Sequence, residues 1–189
     1  MLGLGNPGNK YQKARHNLGF LVVDELAKKL GGGVWKKSAK FQAEILKISP
    51  ELLLVKPQTF MNNSGEAVKR LAGFYKLSPE DIVVVHDDLD LLIGKMKLQL
   101  GGGAAGHHGV ESVIESLSSA DFYRLRLGIG RSTVIPSDQY VLQDFLPEQQ
   151  RAVEEMVKKG AWALQIFLEE GLTAAQNPFS LIDKHLADE

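Results

Sequence analysis

His16, near the start of the chain, and Asp87, far from it, are residue types that together can activate a water molecule. His16 follows the glycine-rich opening Gly3-Leu4-Gly5-Asn6-Pro7-Gly8 and stands between Arg15 and Asn17, just before a helical pattern begins. An imidazole on the lip between loop and helix can take and return a proton near neutral pH. Asp87 lies in the acidic run His86-Asp87-Asp88-Leu89-Asp90, after the β-branched run Ile82-Val83-Val84-Val85, which reads as a buried strand. In open α/β sheets, ligands bind in the loop beyond the carboxyl end of such a strand. A carboxylate there would fix the tautomer of a neighbouring histidine and raise the basicity of its other ring nitrogen. Two other readings stay open: a capped turn with solvated acids, and a magnesium site built from Asp87, Asp88 and Asp90.

A third segment, Thr59-Phe60-Met61-Asn62-Asn63-Ser64-Gly65, supplies amides. Asn62 and Asn63 precede a helix start, so one of them is expected to cap it. A carboxamide facing a cleft both donates and accepts, which suits a peptide backbone or a sugar. Gly101-Gly102-Gly103-Ala104-Ala105-Gly106 is either a connector or a place where backbone approaches a phosphate or sugar.

Several chemistries find no motif. The opening glycines are misspaced for a dinucleotide fingerprint, and no Gly-Lys-Ser/Thr follows a glycine loop. No G-x-S-x-G elbow is present. The five histidines, at 16, 86, 107, 108 and 185, include no HExxH and no paired ligand spacing. The absence of cysteine excludes disulfides and thiolate chemistry and fits a reducing compartment, so a cytoplasmic protein is expected. No apolar run reaches membrane-spanning length, and neither a membrane partner nor a signal peptide is expected. A net charge of −1 gives no global attraction to nucleic acid. Local basic groups could still meet a polyanion: Lys36, Lys37 and Lys40; Lys95 and Lys97; Arg124, Arg126 and Arg131.

The elements that must hold these residues follow from periodicity. The 189 residues, 44% hydrophobic, suit a single domain over 1–189. Residues 2–4 read as the end of a strand, short enough that more of it is expected before the first residue. Leu18, Val22, Leu26 and Leu30 mark one face of a helix over 18–30, ended by Gly31-Gly32-Gly33. Strands are expected at 41–48, 52–55, 82–85, 95–100 and 125–129, with a further short one at 140–142. Helices are expected from Ser64 to about Lys76, from His107 to Leu117, and from Pro147 to Glu170. Strands and helices alternate without linker or repeat, and 41–48 and 52–55 are direct neighbours. The fold class is therefore α/β, a mixed twisted sheet flanked by helices.

Taken together, these segments resemble the bacterial-type peptidyl-tRNA hydrolases. The matching pieces are Gly3 to Gly8 with Tyr11 and Arg15-His16-Asn17; Lys56-Pro57 with Phe60 to Gly65; His86 to Asp90; Gly101 to Gly103 with Gly106-His107-His108-Gly109; and Arg124 to Gly130. They occur in the family's order. The resemblance implies a monomeric mixed-sheet α/β fold and hydrolysis of the ester joining a peptide to the 3′ ribose of tRNA, with no cofactor and no metal. It implies His16 as catalytic base, Asp87 as its partner, and Asn6 as the residue that separates blocked from free aminoacyl ends. Tyr11, Phe60 and Asn62 would line the substrate channel, with His107 and His108 contacting substrate. Arg124, Arg126 and Lys97 would bind tRNA phosphates. Three positions depart from the family pattern: His108 where asparagine is usual, Gln99 where a basic residue is frequent, and Ala14 where threonine is frequent. A non-catalytic RNA-binding protein of the same fold is the competing reading.

Overall fold

The computed structural model describes residues 1–176. Seven strands form one sheet: β1 (Leu2–Gly3), β2 (Lys36–Ser38), β3 (Ala43–Lys47), β4 (Leu53–Pro57), β5 (Val83–Asp88), β6 (Met96–Leu100) and β7 (Tyr123–Gly128). Their order is β2-β3-β4-β1-β5-β7-β6. The centre is parallel, with β1 beside β4 and β5, and β5 beside β7. Both flanks are antiparallel, β2–β3–β4 on one side and β6–β7 on the other. The mixed sheet expected from the sequence is present.

Period-two alternation along the central strands divides the core between two faces. Val83, Val85, Leu125 and Leu127 pack with Leu18, Val22 and Leu26 of α1 (Leu18–Lys29) and with Met156 and Leu164 of α5 (Pro147–Glu170). Leu2, Leu4, Val84 and Phe122 pack on the other face. Their partners there are Ala67, Val68 and Leu71 of α2 (Ser64–Tyr75) and Val110 and Val113 of α3 (His108–Leu117). Each fully buried leucine or valine contributes about 1.5–3 kcal/mol relative to an exposed one. Both faces are covered, so every residue of β5 is buried, the polar His86, Asp87 and Asp88 included.

One close approach sets the position of His16. A methyl group on Gly19 would overlap the Leu4 amide and the Val85 carbonyl. Only glycine lets the first turn of α1 lie on β1 and β5, which brings His16 to the strand ends.

The structure corrects three expectations. Residues 140–142 are not a strand: Ser137–Tyr140 is a short helix, α4, and the Tyr140 hydroxyl donates to the Ile129 carbonyl at 2.8 Å. Lys36–Ser38 is an edge strand that the lysines concealed, because neither face of an edge strand need be apolar. The acidic run does not begin beyond β5; His86, Asp87 and Asp88 continue its ladder opposite Arg126, Leu127 and Gly128 of β7. A last short helix, α6, spans Leu172–Ala175. Residues 177–189 of the expected domain lie outside the described residues.

Candidate active site

His16 occupies a single 3-10 turn, Arg15–Asn17, immediately before α1. Its backbone is fixed from outside: the Arg15 and His16 amides donate to the Gln143 and Val141 carbonyls at 3.0 and 2.9 Å. The buried Arg15 guanidinium donates to the carbonyls of Gln143 (3.1 Å) and Asp144 (2.6 Å) and to Gln149 Oε1 (3.1 Å), and lies over the rings of Tyr140 and Phe145. Charge-assisted donation to several carbonyls is a rigid clamp. Arg15 thus ties the turn bearing His16 to the segment after α4.

The imidazole meets Asp87 across the sheet end. His16 Nδ1 lies 2.8 and 3.0 Å from the two carboxylate oxygens, and both residues are buried. His107 Nε2 reaches the same Oδ1 at 3.1 Å. The tautomers follow from the partners. His107 stands at the N-cap of α3, where its Nδ1 accepts from the Val110 amide at 3.2 Å, so Nε2 carries the proton donated to Asp87. An ionised Asp87 only accepts, so His16 donates through Nδ1–H and keeps its Nε2 lone pair for chemistry. His86 stands behind, its ring 4.8 Å from that of His107 and its Nδ1 donating to the Asp87 carbonyl at 2.7 Å.

Electrostatics agree with these assignments. Burial pushes Asp87 up, but His16 and His107 outweigh it and hold its carboxyl well below the usual range. Burial, reinforced by His107, pulls His86 down to about 3, so it stays neutral. Its Nε2 is buried without a hydrogen-bond partner, which a protonated ring could not tolerate.

Asn6 joins the same cluster. Asn17 pairs with its backbone in both directions, Nδ2 donating to the Asn6 carbonyl (3.0 Å) and Oδ1 accepting from the Asn6 amide (2.9 Å). Asn6 Oδ1 accepts from the Met61 amide at 2.8 Å. This orients the carboxamide and leaves Nδ2 as a donor with no protein hydrogen bond among the described residues. Asn17, a member of the Arg15-His16-Asn17 motif to which the sequence gave no role of its own, therefore ties Asn6 to the histidine turn. A pocket of about 80 Å³ opens here, walled by His16, Asp87, His107, Ala105, Ser137 and Val141.

The other expected residues are distributed around this centre. Phe60 is 58% exposed beside the Asn6–Met61 contact, Asn62 is exposed, and Tyr11 is partly exposed in the loop before His16. Asn63 occupies the N-cap position of α2, yet its side chain makes no cap hydrogen bond. His108 is exposed at the start of α3, pairing with Glu111 at 3.0 Å. Arg126 keeps some exposure, with Nε 2.6 Å from Asp88 Oδ2 and a guanidinium nitrogen 3.3 Å from Gln99 Oε1.

Arg124 is a correction. Its side chain is buried and donates to the carbonyls of Gly102, Gly103 (2.7 Å) and Ala120 (3.2 Å). It anchors the glycine loop from within and offers no surface to a phosphate. The magnesium reading fails on partners. Asp87 is shared by two histidines, Asp88 is held by Arg126 and the Asp90 amide, and Asp90 is held by Arg131. Among the described residues, the three groups close enough to share an ion are His16, Asp87 and His107. There both histidine N–H groups already point at one carboxylate.

Comparison with known proteins agrees over nearly the whole length. A family model described as Peptidyl-tRNA hydrolase matches residues 1–187. The Peptidyl-tRNA hydrolase of Carboxydothermus hydrogenoformans is 46% identical over 181 residues, covering 94% of this chain and 96% of the relative. That of Desulfitobacterium hafniense is 44% identical over 179 residues, covering 94% and 97%. The crystal structure of peptidyl-tRNA hydrolase from Acinetobacter baumannii superposes with a TM-score of 0.86 at 32% identity, covering 94% of this chain and 91% of that one.

Proposed function

The chain belongs to the peptidyl-tRNA hydrolase family, and from that premise we propose that its hydrolysis of the ester joining peptide to tRNA runs through a water molecule activated by His16. The observation that carries this is the buried His16–Asp87 contact at 2.8 Å, which leaves Nε2 as the one basic ring position of His16. Nε2 takes a proton as the water oxygen bonds to the ester carbonyl carbon. The resulting imidazolium is stabilised by Asp87, whose negative charge the second histidine, His107, helps to maintain. The Asn6 carboxamide, oriented by the Met61 amide, donates through Nδ2 to the developing oxyanion, with Asn62 as a second donor. Collapse breaks the bond to the ribose oxygen, His16 returns its proton to that oxygen, and free tRNA and a peptide carboxylate leave. No step calls for a metal.

Tyr11 and Phe60 line the approach, and His108 stands at the rim, where an imidazole offers one donor and one acceptor in place of a carboxamide. Arg126 and Lys97 meet the phosphates, with salt-sensitive affinity. A tRNA substrate supports action in the cytoplasm.

Release of N-acetyl-amino acid from N-acetyl-aminoacyl-tRNA in excess chelator tests the reading, with unblocked aminoacyl-tRNA alongside. Fast, selective cleavage of the blocked substrate is expected. Retained tRNA binding without cleavage would point to a binding protein instead.

A further inference from the structure

His86 is buried, stays neutral, and takes no part in the reaction above. A histidine is an expensive choice for that position. Its Nε2 is buried without a hydrogen-bond partner, a loss that an apolar side chain of similar size would not carry. The ring must therefore supply something that an apolar side chain cannot.

The backbone around it shows what that is. Successive carbonyls of β5 point to opposite sides of the strand. Those of Ile82 and Asp88 accept from the Tyr123 and Ile129 amides on the β7 side, each at 2.9 Å. That of Val85 accepts from the Leu4 amide on the β1 side, also at 2.9 Å. Asp87 lies two residues past Val85, so its carbonyl turns to the β1 side as well. There the neighbouring strand has ended: β1 is Leu2–Gly3. The next amide in that series, the amide of Asn6, is taken by Asn17 Oδ1 at 2.9 Å. The Asp87 carbonyl thus stands beyond the last rung of the ladder, buried and in need of a donor. His86 Nδ1–H is that donor, at 2.7 Å.

The same ring also bears on the carboxylate. It meets the His107 ring edge-on, with centres 4.8 Å apart and planes at 70°, and His107 Nε2 donates to Asp87 Oδ1 at 3.1 Å. One side chain therefore braces Asp87 at both ends, the carbonyl directly and the carboxylate through His107. We infer that His86 is a positioning residue, whose Nδ1–H replaces the missing sheet partner of Asp87 and so holds its carboxylate against His16. This rests on the hydrolase reading above and adds a residue that neither touches substrate nor exchanges a proton. The charged and titratable groups facing His86 are Asp87, His107, Arg124 and Arg126, the last held by Asp88. Those facing His16 are Asp87 and His107, with Asp88, His108 and Asp138 on the same pocket wall.

Three replacements test this, read by hydrolysis of N-acetyl-alanyl-tRNA across pH. His86→Asn keeps a donor at the Nδ1 position, His86→Phe keeps a ring without the donor, and His86→Leu keeps neither. His86→Phe and His86→Leu are expected to lower kcat about ten-fold, the effect of one hydrogen bond, with KM unchanged. Their acid limb of kcat should move to lower pH by about half a unit or more, because a displaced Asp87 stabilises the His16 imidazolium less. His86→Asn is expected to keep the wild-type limb and most of the activity. In an Asp87→Asn background, His86→Phe should add no further loss. Equal losses in all three variants, or an acid limb that stays in place, would reduce His86 to packing and overturn the proposal. Losses that multiply with Asp87→Asn would overturn it too. Should the variants fail to fold, NMR of the ring nitrogens in the wild-type protein decides. A proton on His86 Nδ1 and a bare Nε2 at neutral pH are expected, and the opposite tautomer would overturn the proposal. Wild-type protein that shows this tautomer yet cleaves no substrate would remove the hydrolase reading itself, and with it the role of His86 in catalysis.

Discussion

The buried pocket at His16 and the open cleft beside Phe60 differ in how their polar groups are held. Around His16 the polar groups of the cluster point at one another: two histidines on one carboxylate, one histidine capping a helix, one asparagine doubly paired to another. The cleft beside Phe60 is lined instead by exposed or half-buried side chains, Lys37, Gln58 and Glu66 among them. The first arrangement is preorganised, so little reorganisation accompanies the movement of a proton. Chemistry should therefore be sensitive to single atoms in the small pocket.

His16→Ala is the severest way to probe that contrast. It should lower kcat about 10³-fold or more, with tRNA affinity nearly unchanged. Asp87→Asn keeps the size but removes the charge, and places an N–H₂ against one of two histidine donors. A fall in kcat of about 10²-fold or more is expected. If either variant instead raised KM and spared kcat, the small pocket would be a binding site and the contrast would fail.

Next comes pH. The neutral His86 has a folded pKa of about 3, below its ordinary 6.5, so the unfolded chain binds the extra proton between those values. Stability is then full above about 6.5 and falls as pH drops, by about 1.4 kcal/mol per unit. Asp87, whose pKa is depressed, adds its own loss only below about 4. Unfolding free energies from urea titrations at pH 6.5 and 5 should differ by about 2 kcal/mol in the wild type, and His86→Leu should flatten that difference. An unchanged slope in the variant would mean that another group carries it.

Arg124→Met should cost about 2–3 kcal/mol, by leaving the glycine-loop carbonyls unpaired. It should barely alter the salt dependence of tRNA binding, whereas Arg126→Met should lower the salt slope by about 1. The reverse result would restore Arg124 as a phosphate contact.

The small pocket was more legible in the sequence than the large one, for physical reasons. The strand run at 82–85 pointed to Asp87 near a sheet end, the turn before α1 pointed to His16, and Asn6 was singled out only by the family resemblance. His107 was expected only to touch substrate, because the carboxylate it shares with His16 lies 20 positions away and no local spacing reveals it. Arg124 and Arg126 alternate on one strand and look alike in sequence. They share one face of β7, and only the fold shows that the glycine loop covers the first, which donates to its carbonyls, while the second keeps some exposure beside Asp88. Lys36–Ser38 escaped because an edge strand carries no apolar alternation.

The central claim is that His16 and Asp87 act as one unit on water. A double-mutant cycle measures this most directly, comparing single-turnover hydrolysis of N-acetyl-aminoacyl-tRNA by His16→Ala, Asp87→Asn and the double variant. The claim predicts that the double variant is no slower than His16→Ala, because Asp87 has nothing left to stabilise. Multiplying rate losses, with tRNA binding intact throughout, would show that the two residues act separately and contradict it.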